Sequence, residues 1–176
     1  MSNKGSLREL QARLAERMQA AQAQPRTDAR LAVECRGHGL LFPLHQAGEI
    51  FPVGALLPVP HTKPWFVGVA NLRGGLNSVV DLARFLDLAD TPLSDQAREQ
   101  ARLVALNPRL GVNAALLVDR LAGLRGVDQL TVEPTDGDVP RPRFAGERRR
   151  DADGRVWQEI LLDALAEDMQ FLGIAR

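Results

Sequence analysis

The sequence predicts a mainly β protein built of small antiparallel sheets or barrels, with few and peripheral helices. Three observations carry this expectation. The apolar stretches are short and bounded by turns, the first of them alternates apolar and polar residues with period two, and clusters of Gly, Pro, Asn and Asp separate them. With 176 residues, 45% of them hydrophobic and 25% charged, the chain can bury one sizeable core, in one domain that can divide into two lobes.

One helix precedes the β region. Leu7, Leu10, Leu14, Met18 and Ala21 recur at helical spacing while Arg8, Arg13, Glu16 and Arg17 take other faces, so residues 6–24 read as an amphipathic helix. Ser6 and Glu9 form a capping-box pattern at its start, and Pro25 stops it. Its apolar stripe is narrow and partly alanine, so the helix needs a surface to dock on, in this protein or in a partner. Residues 1–29 are read as this helix and its linker.

From residue 31 the period changes. Leu31, Val33 and Cys35 alternate with Ala32, Glu34 and Arg36, and Gly37-His38-Gly39 offers the freedom of a hairpin turn. Further extended segments are expected over 40–44, 50–53, 67–70, 77–80, 103–106, 113–118 and 156–162, with turns at Gly74-Gly75, over 107–111 and over 151–154. Three times two apolar residues precede an aspartate: Val79-Val80-Asp81, Leu117-Val118-Asp119 and Leu161-Leu162-Asp163. In each, a strand running into a turn or helix is expected, with the aspartate accepting hydrogen bonds from the first free amides. Leu82, Phe85 and Leu86 supply a helical stripe after the first, and Leu165, Met169 and Leu172 after the third.

Charge and motifs narrow the function. Lys and Arg number 22 and Asp and Glu 22, so no net field favours nucleic acid or an anionic membrane, and a protein partner fits better. No apolar run approaches the roughly 18 residues of a membrane span, and no secretory signal opens the chain, so direct membrane insertion is not expected and a cytoplasmic location is. Cys35 is the single cysteine, which agrees with a reducing compartment. His38, His45 and His61 lack ligand spacing and read as surface or loop histidines, so no metal is expected. Asp151-Ala152-Asp153-Gly154 starts like a calcium loop but lacks the later ligands, and a hairpin turn is the expectation. Neither a nucleophile elbow, a phosphate loop nor a dinucleotide fingerprint is present; no cofactor and no enzyme activity are expected. Arg141, Arg143, Arg148, Arg149 and Arg150 form a basic patch read as a solvated loop, or as a docking point for an acidic protein surface.

The most informative stretch is residues 63–81, Lys-Pro-Trp-Phe-Val-Gly-Val-Ala-Asn-Leu-Arg-Gly-Gly-Leu-Asn-Ser-Val-Val-Asp. Here the chain resembles the CheW family of coupling proteins, whose hallmark is an apolar-Gly-Val-x-Asn-Leu-Arg-Gly segment followed by two apolar residues and Asp-Leu. Two further blocks agree in order: Leu41-Phe42-Pro43-Leu44 with Glu49-Ile50, and residues 102–133 with Leu116-Leu117-Val118-Asp119. The resemblance covers about residues 30–170, taken as the domain, with 171–176 as a C-terminal tail. It implies two packed five-stranded, SH3-like β-barrels. It also implies a bridge between the regulatory domain of a CheA-type histidine kinase and the cytoplasmic tip of a methyl-accepting chemoreceptor, hence recruitment to membrane-associated chemoreceptor arrays. By the same resemblance Arg73 is the partner-contacting arginine, flanked by Asn71 and Gly74, and Ala47, Glu49 and Ile50 line partner surfaces.

Physically, Arg73 can offer a planar donor fork to carbonyls or carboxylates of a partner, or pair internally with Asp81 or Glu49. The N-terminal helix, residues 46–50 and residues 64–75 resemble the PilI branch, the CheW-like proteins of the twitching-motility system that controls type IV pili. Asn77-Ser78 and the basic segment 141–150 depart from the family pattern. A small β-barrel ligand carrier or enzyme, an adaptor of a flagellar or other chemosensory array, and a regulatory module that competes for kinase or pilus components are the alternative readings.

Overall fold

The computed structural model describes residues 28–134, 137 and 140–176, so the helix expected over 6–24 lies outside the described residues. Burial on both faces organises the rest. In β1 (Ala29–Cys35), Leu31, Val33 and Cys35 enter one core, while Ala32, fully buried, enters another. In β7 (Ala114–Val118), Ala114, Leu116 and Val118 share that first core and Ala115 and Leu117 enter a third. Strands covered on both sides read as continuous apolar runs, which is why 114–118 shows no alternation.

The strands form two sheets. One has six strands in the order β8 (Arg120–Gly126), β1, β2 (His38–Pro43), β11 (Val156–Ile160), β10 (Ala145–Arg150) and β9 (Thr131–Val132). The other has five, in the order β3 (Ala47–Pro52), β6 (Arg102–Leu106), β7, β5 (Gly75–Asp81) and β4 (Phe66–Leu72). The shared core lies between the sheets, and a smaller core sits on the outer face of each: Ala32, Leu41, Leu130 and Trp157 in the first lobe, Val79, Leu103 and Leu117 in the second. The fold is therefore mainly β with two SH3-like lobes, whose sheets curl without closing; one lobe carries six strands rather than five. Two pairings are parallel, β5 with β7 and β2 with β11, because the connections between those strands pass through other elements.

All the expected strands form, and the helices are short and peripheral. Leu82 and Phe85 of α1 (Leu82–Phe85) are buried as the stripe requires. α2 (Asp95–Arg98) is capped by Ser94. In α3 (Leu162–Ala166) and α4 (Met169–Leu172), Leu165 and Phe171 are buried while Met169 and Leu172 face solvent. The expected C-terminal stripe is corrected, because Asp168 caps a new turn there and rotates the register. Beyond it, Ile174 accepts a hydrogen bond from the Lys63 amide and His61 accepts one from the Arg176 amide, so the chain end is tied to the segment before β4.

Three local expectations change. The β1–β2 hairpin turns on Arg36 and Gly37, at φ 48° and 80°, one residue earlier than Gly37-His38-Gly39, because a two-residue turn with both φ values positive matches the twist of the strands. The segment 145–150 is strand β10, not a loop: β11 and β9 pair with it on both sides, and Arg149 is buried with Glu147 as its ion partner. Backbone pairing on both flanks overrides the polar sequence there. Among the aspartates, Asp81 caps α1, accepting from the Arg84 amide at 3.3 Å. Asp119 is no cap, since the chain runs from β7 directly into β8. Asp163 bonds only its neighbour's amide, and the amides of Leu162 and Asp163 are accepted instead by buried Gln46, at 2.8 and 3.3 Å.

Candidate partner-binding face

The β4–β5 hairpin closes on Arg73 and Gly74, at φ 50° and 81°, between the paired residues Leu72 and Gly75. An arginine in the left-handed region costs free energy that glycine would avoid, and such outliers cluster at functional sites. Asn71 holds the turn: its Oδ1 accepts from the Gly74 amide at 2.8 Å. In the Asn-Leu-Arg-Gly segment, asparagine and glycine thus shape a turn from which the arginine projects. The Arg73 side chain is 75% exposed and ion-paired to Glu49, itself 44% exposed.

That pair joins opposite edges of the five-stranded sheet, since Glu49 lies on β3 and Arg73 follows β4. The curl of the sheet brings the edges together. Between them lies a cleft of about 310 Å³ whose lining includes Phe51, Leu72, Asn77 and Pro108. Ile50 is 37% exposed beside Glu49, and Leu76 is 66% exposed just past the turn. Arg73, Asn71, Gly74, Glu49 and Ile50 are therefore surface residues, whereas Ala47 is buried opposite Leu106. Of the two internal partners considered for Arg73, the structure selects Glu49. Sequence reasoning missed Leu76, whose signal was a large apolar residue set between Gly75 and Asn77 in an otherwise polar turn.

Asp81 is taken by another arginine. Arg36 donates Nη1 to Asp119 at 2.6 Å and Nη2 to Asp81 at 3.2 Å, and its backbone amide donates to Asp119 at 2.7 Å. The β1–β2 turn of one lobe is thereby tied to the strand ends of the other. Burial raises the pKa of the Asp81 carboxyl, with Arg36 opposing but not cancelling the rise. Burial likewise pushes the Cys35 thiol well above its usual range, leaving an inert core residue. Glu34 is the reverse case: burial pushes its pKa up, but hydrogen bonds and charge from Arg120 and Arg155 outweigh that and hold it low.

Asp151 accepts from the Asp153 and Arg155 amides and from Trp157 Nε1 at 2.8 Å, which makes 151–154 a hairpin turn. His38, His45 and His61 are exposed, and among the described residues no three His, Cys, Asp or Glu side chains converge as metal ligands would. No helix among the described residues is long and apolar enough to cross a membrane.

Comparison with known proteins agrees with this geometry. The CheW-like domain family model matches residues 30–170. Protein PilI of Pseudomonas aeruginosa is 29% identical over 166 residues, covering 93% of this chain and 89% of that protein. The crystal structure of the scaffolding protein TtCheW from Thermoanaerobacter tengcongensis superposes with a TM-score of 0.62 at 17% identity, over 76% of this chain and 88% of that one, and so shares the fold. A family model that spans the whole two-lobed region, and a fold shared with a solved CheW, make this chain a member of the CheW-like domain family.

Proposed function

We propose that the protein is a non-catalytic adaptor that couples methyl-accepting chemoreceptors to a CheA-type histidine kinase, and that it serves a chemosensory system controlling twitching motility through type IV pili. The observation that carries the reading is Arg73, projected by a strained turn and held, among the described residues, by a surface pair with Glu49. An exposed pair of this kind contributes about 0.2–1 kcal/mol to folding, so a partner carboxylate can replace Glu49 at little cost. Exposed Ile50 and Leu76 supply apolar area around the charge, the composition of an interface centre. Such a protein acts by fixing kinase and receptor in relation to each other, and it resides in the cytoplasm at membrane-associated receptor arrays. The likeness to PilI supports the pilus assignment over a flagellar one.

Titration calorimetry tests this with the full chain, a CheA-type regulatory domain and a receptor tip fragment from the same organism. Micromolar binding to both is expected, and Arg73→Ala is expected to weaken one of them by about 1–3 kcal/mol while the thermal unfolding curve stays in place. Absence of binding to either partner overturns the adaptor reading.

A further inference from the structure

A second and larger cleft lies away from Arg73, at the seam between the lobes. Its volume is about 660 Å³, within the range of small-molecule sites. The β1–β2 hairpin, the end of α1 and strands β10 and β11 enclose it, and its floor is apolar: Leu40, Phe85, Leu88, Phe144 and Ile160. The rim is cationic. Arg141, Arg148 and Arg155 line it, against a single carboxylate among the described residues, Asp87.

The three arginines differ in what they already hold. Arg155 is committed, paired with Glu34 and seated 4.5 Å from the Trp157 ring centroid. Among the described residues the side chains of Arg141 and Arg148 donate no hydrogen bond and form no ion pair, although the charge of Arg148 helps to lower the pKa of Glu133. Two guanidinium groups with no hydrogen-bonded carboxylate among the described residues, above an apolar floor, are complementary to a ligand with a hydrophobic body and one anionic end, since a guanidinium matches a carboxylate in a bidentate fork. The chain's own residues 1–27 are a poor occupant, because they carry five Lys and Arg against two Glu and would bring like charge to the rim.

We propose that this inter-lobe cleft binds a small amphipathic carboxylate, acyl or aryl, with its apolar body on the Phe85–Phe144 floor and its carboxylate against Arg141 and Arg148. The site shares no residue with the Arg73 face, so it stands or falls independently of the adaptor reading.

Fluorescence titration of the full-length protein with 8-anilinonaphthalene-1-sulfonate, an amphipathic anion, followed by displacement with dodecanoate, tests the site. Saturable one-to-one binding, displacement by dodecanoate and an affinity at least tenfold lower in Arg148→Glu are expected, with far-ultraviolet circular dichroism unchanged. Arg141→Glu provides a second variant should Arg148→Glu disturb β10. Three results would each overturn the proposal: no saturable binding, equal displacement by uncharged dodecanol, or unaltered affinity in both folded variants. Displacement by inorganic phosphate as effective as by dodecanoate would also overturn it, because the apolar floor would then have no part.

Discussion

Arg36 places its backbone amide and its guanidinium on one carboxylate, that of Asp119, at 2.7 and 2.6 Å. Asp119 is the single residue between β7 of one sheet and β8 of the other, and the same guanidinium reaches Asp81, which is 2% exposed. One arginine thus joins the lobes where the chain crosses between them.

Removing that arginine leaves a buried carboxylate without its partner, the costly way to break an ion pair. Arg36→Ala is expected to lose about 3 kcal/mol in urea unfolding, with Asp81→Asn in the same background recovering part of the loss. Equal stability of Arg36→Ala and the parent would show that the tie is ornamental.

Glu34 carries a pH signature of opposite sign to Asp81. Its folded pKa lies below the unfolded value of 4.5, so the stabilisation is fully present above that value and lost as pH falls through the lowered folded pKa. Asp81, raised above 3.8, contributes stability at low pH that is lost as pH rises through its folded pKa. Glu34→Gln is therefore expected to lower stability by about 2 kcal/mol near neutrality and to converge on the parent as pH falls through the lowered folded pKa, measured by denaturation from neutral to acid pH.

Gln46 caps α3 from more than a hundred residues away, accepting from the amides of Leu162 and Asp163. Gln46→Met keeps the volume and removes the acceptor, which should cost about 2 kcal/mol. For a domain of this size the melting temperature should fall by about 4–8 °C. An unchanged melting temperature would mean that water replaces the cap.

Gly68 sits at φ 145°, at the bulge in β4, and a Cβ there would lie 2.4 Å from the Leu57 carbonyl oxygen. Backbone cannot yield as a side-chain tip can. Gly68→Ala is expected to destabilise by about 3 kcal/mol or more, whereas Gly74→Ala, with open space around it, should cost only about 1 kcal/mol through its positive φ. Comparable losses in the two variants would contradict the close approach of Leu57 to β4.

Much of the fold was legible because its signals are local. Short apolar runs over 31–35, 40–44 and 113–118 carry their own strand pattern, Asp81 announces the start of α1, and residues 63–81 carry the family's turn and its arginine. The rest depends on partners distant in the chain. Strands β8 and β10 alternate poorly and are rich in glycine and arginine, and β1, β9 and β11 make them strands by pairing with them. Nothing near residue 162 names Gln46 as its cap, and Arg73 had two candidate carboxylates that only the curl of the sheet could separate. The sequence by itself determined the β class and the position of most strands, since these follow from period and backbone preference, while Arg73 was marked out by the family resemblance. Tertiary structure alone decided which arginine meets which carboxylate and where the inter-lobe cleft opens, because those depend on distances between residues that the chain order leaves far apart.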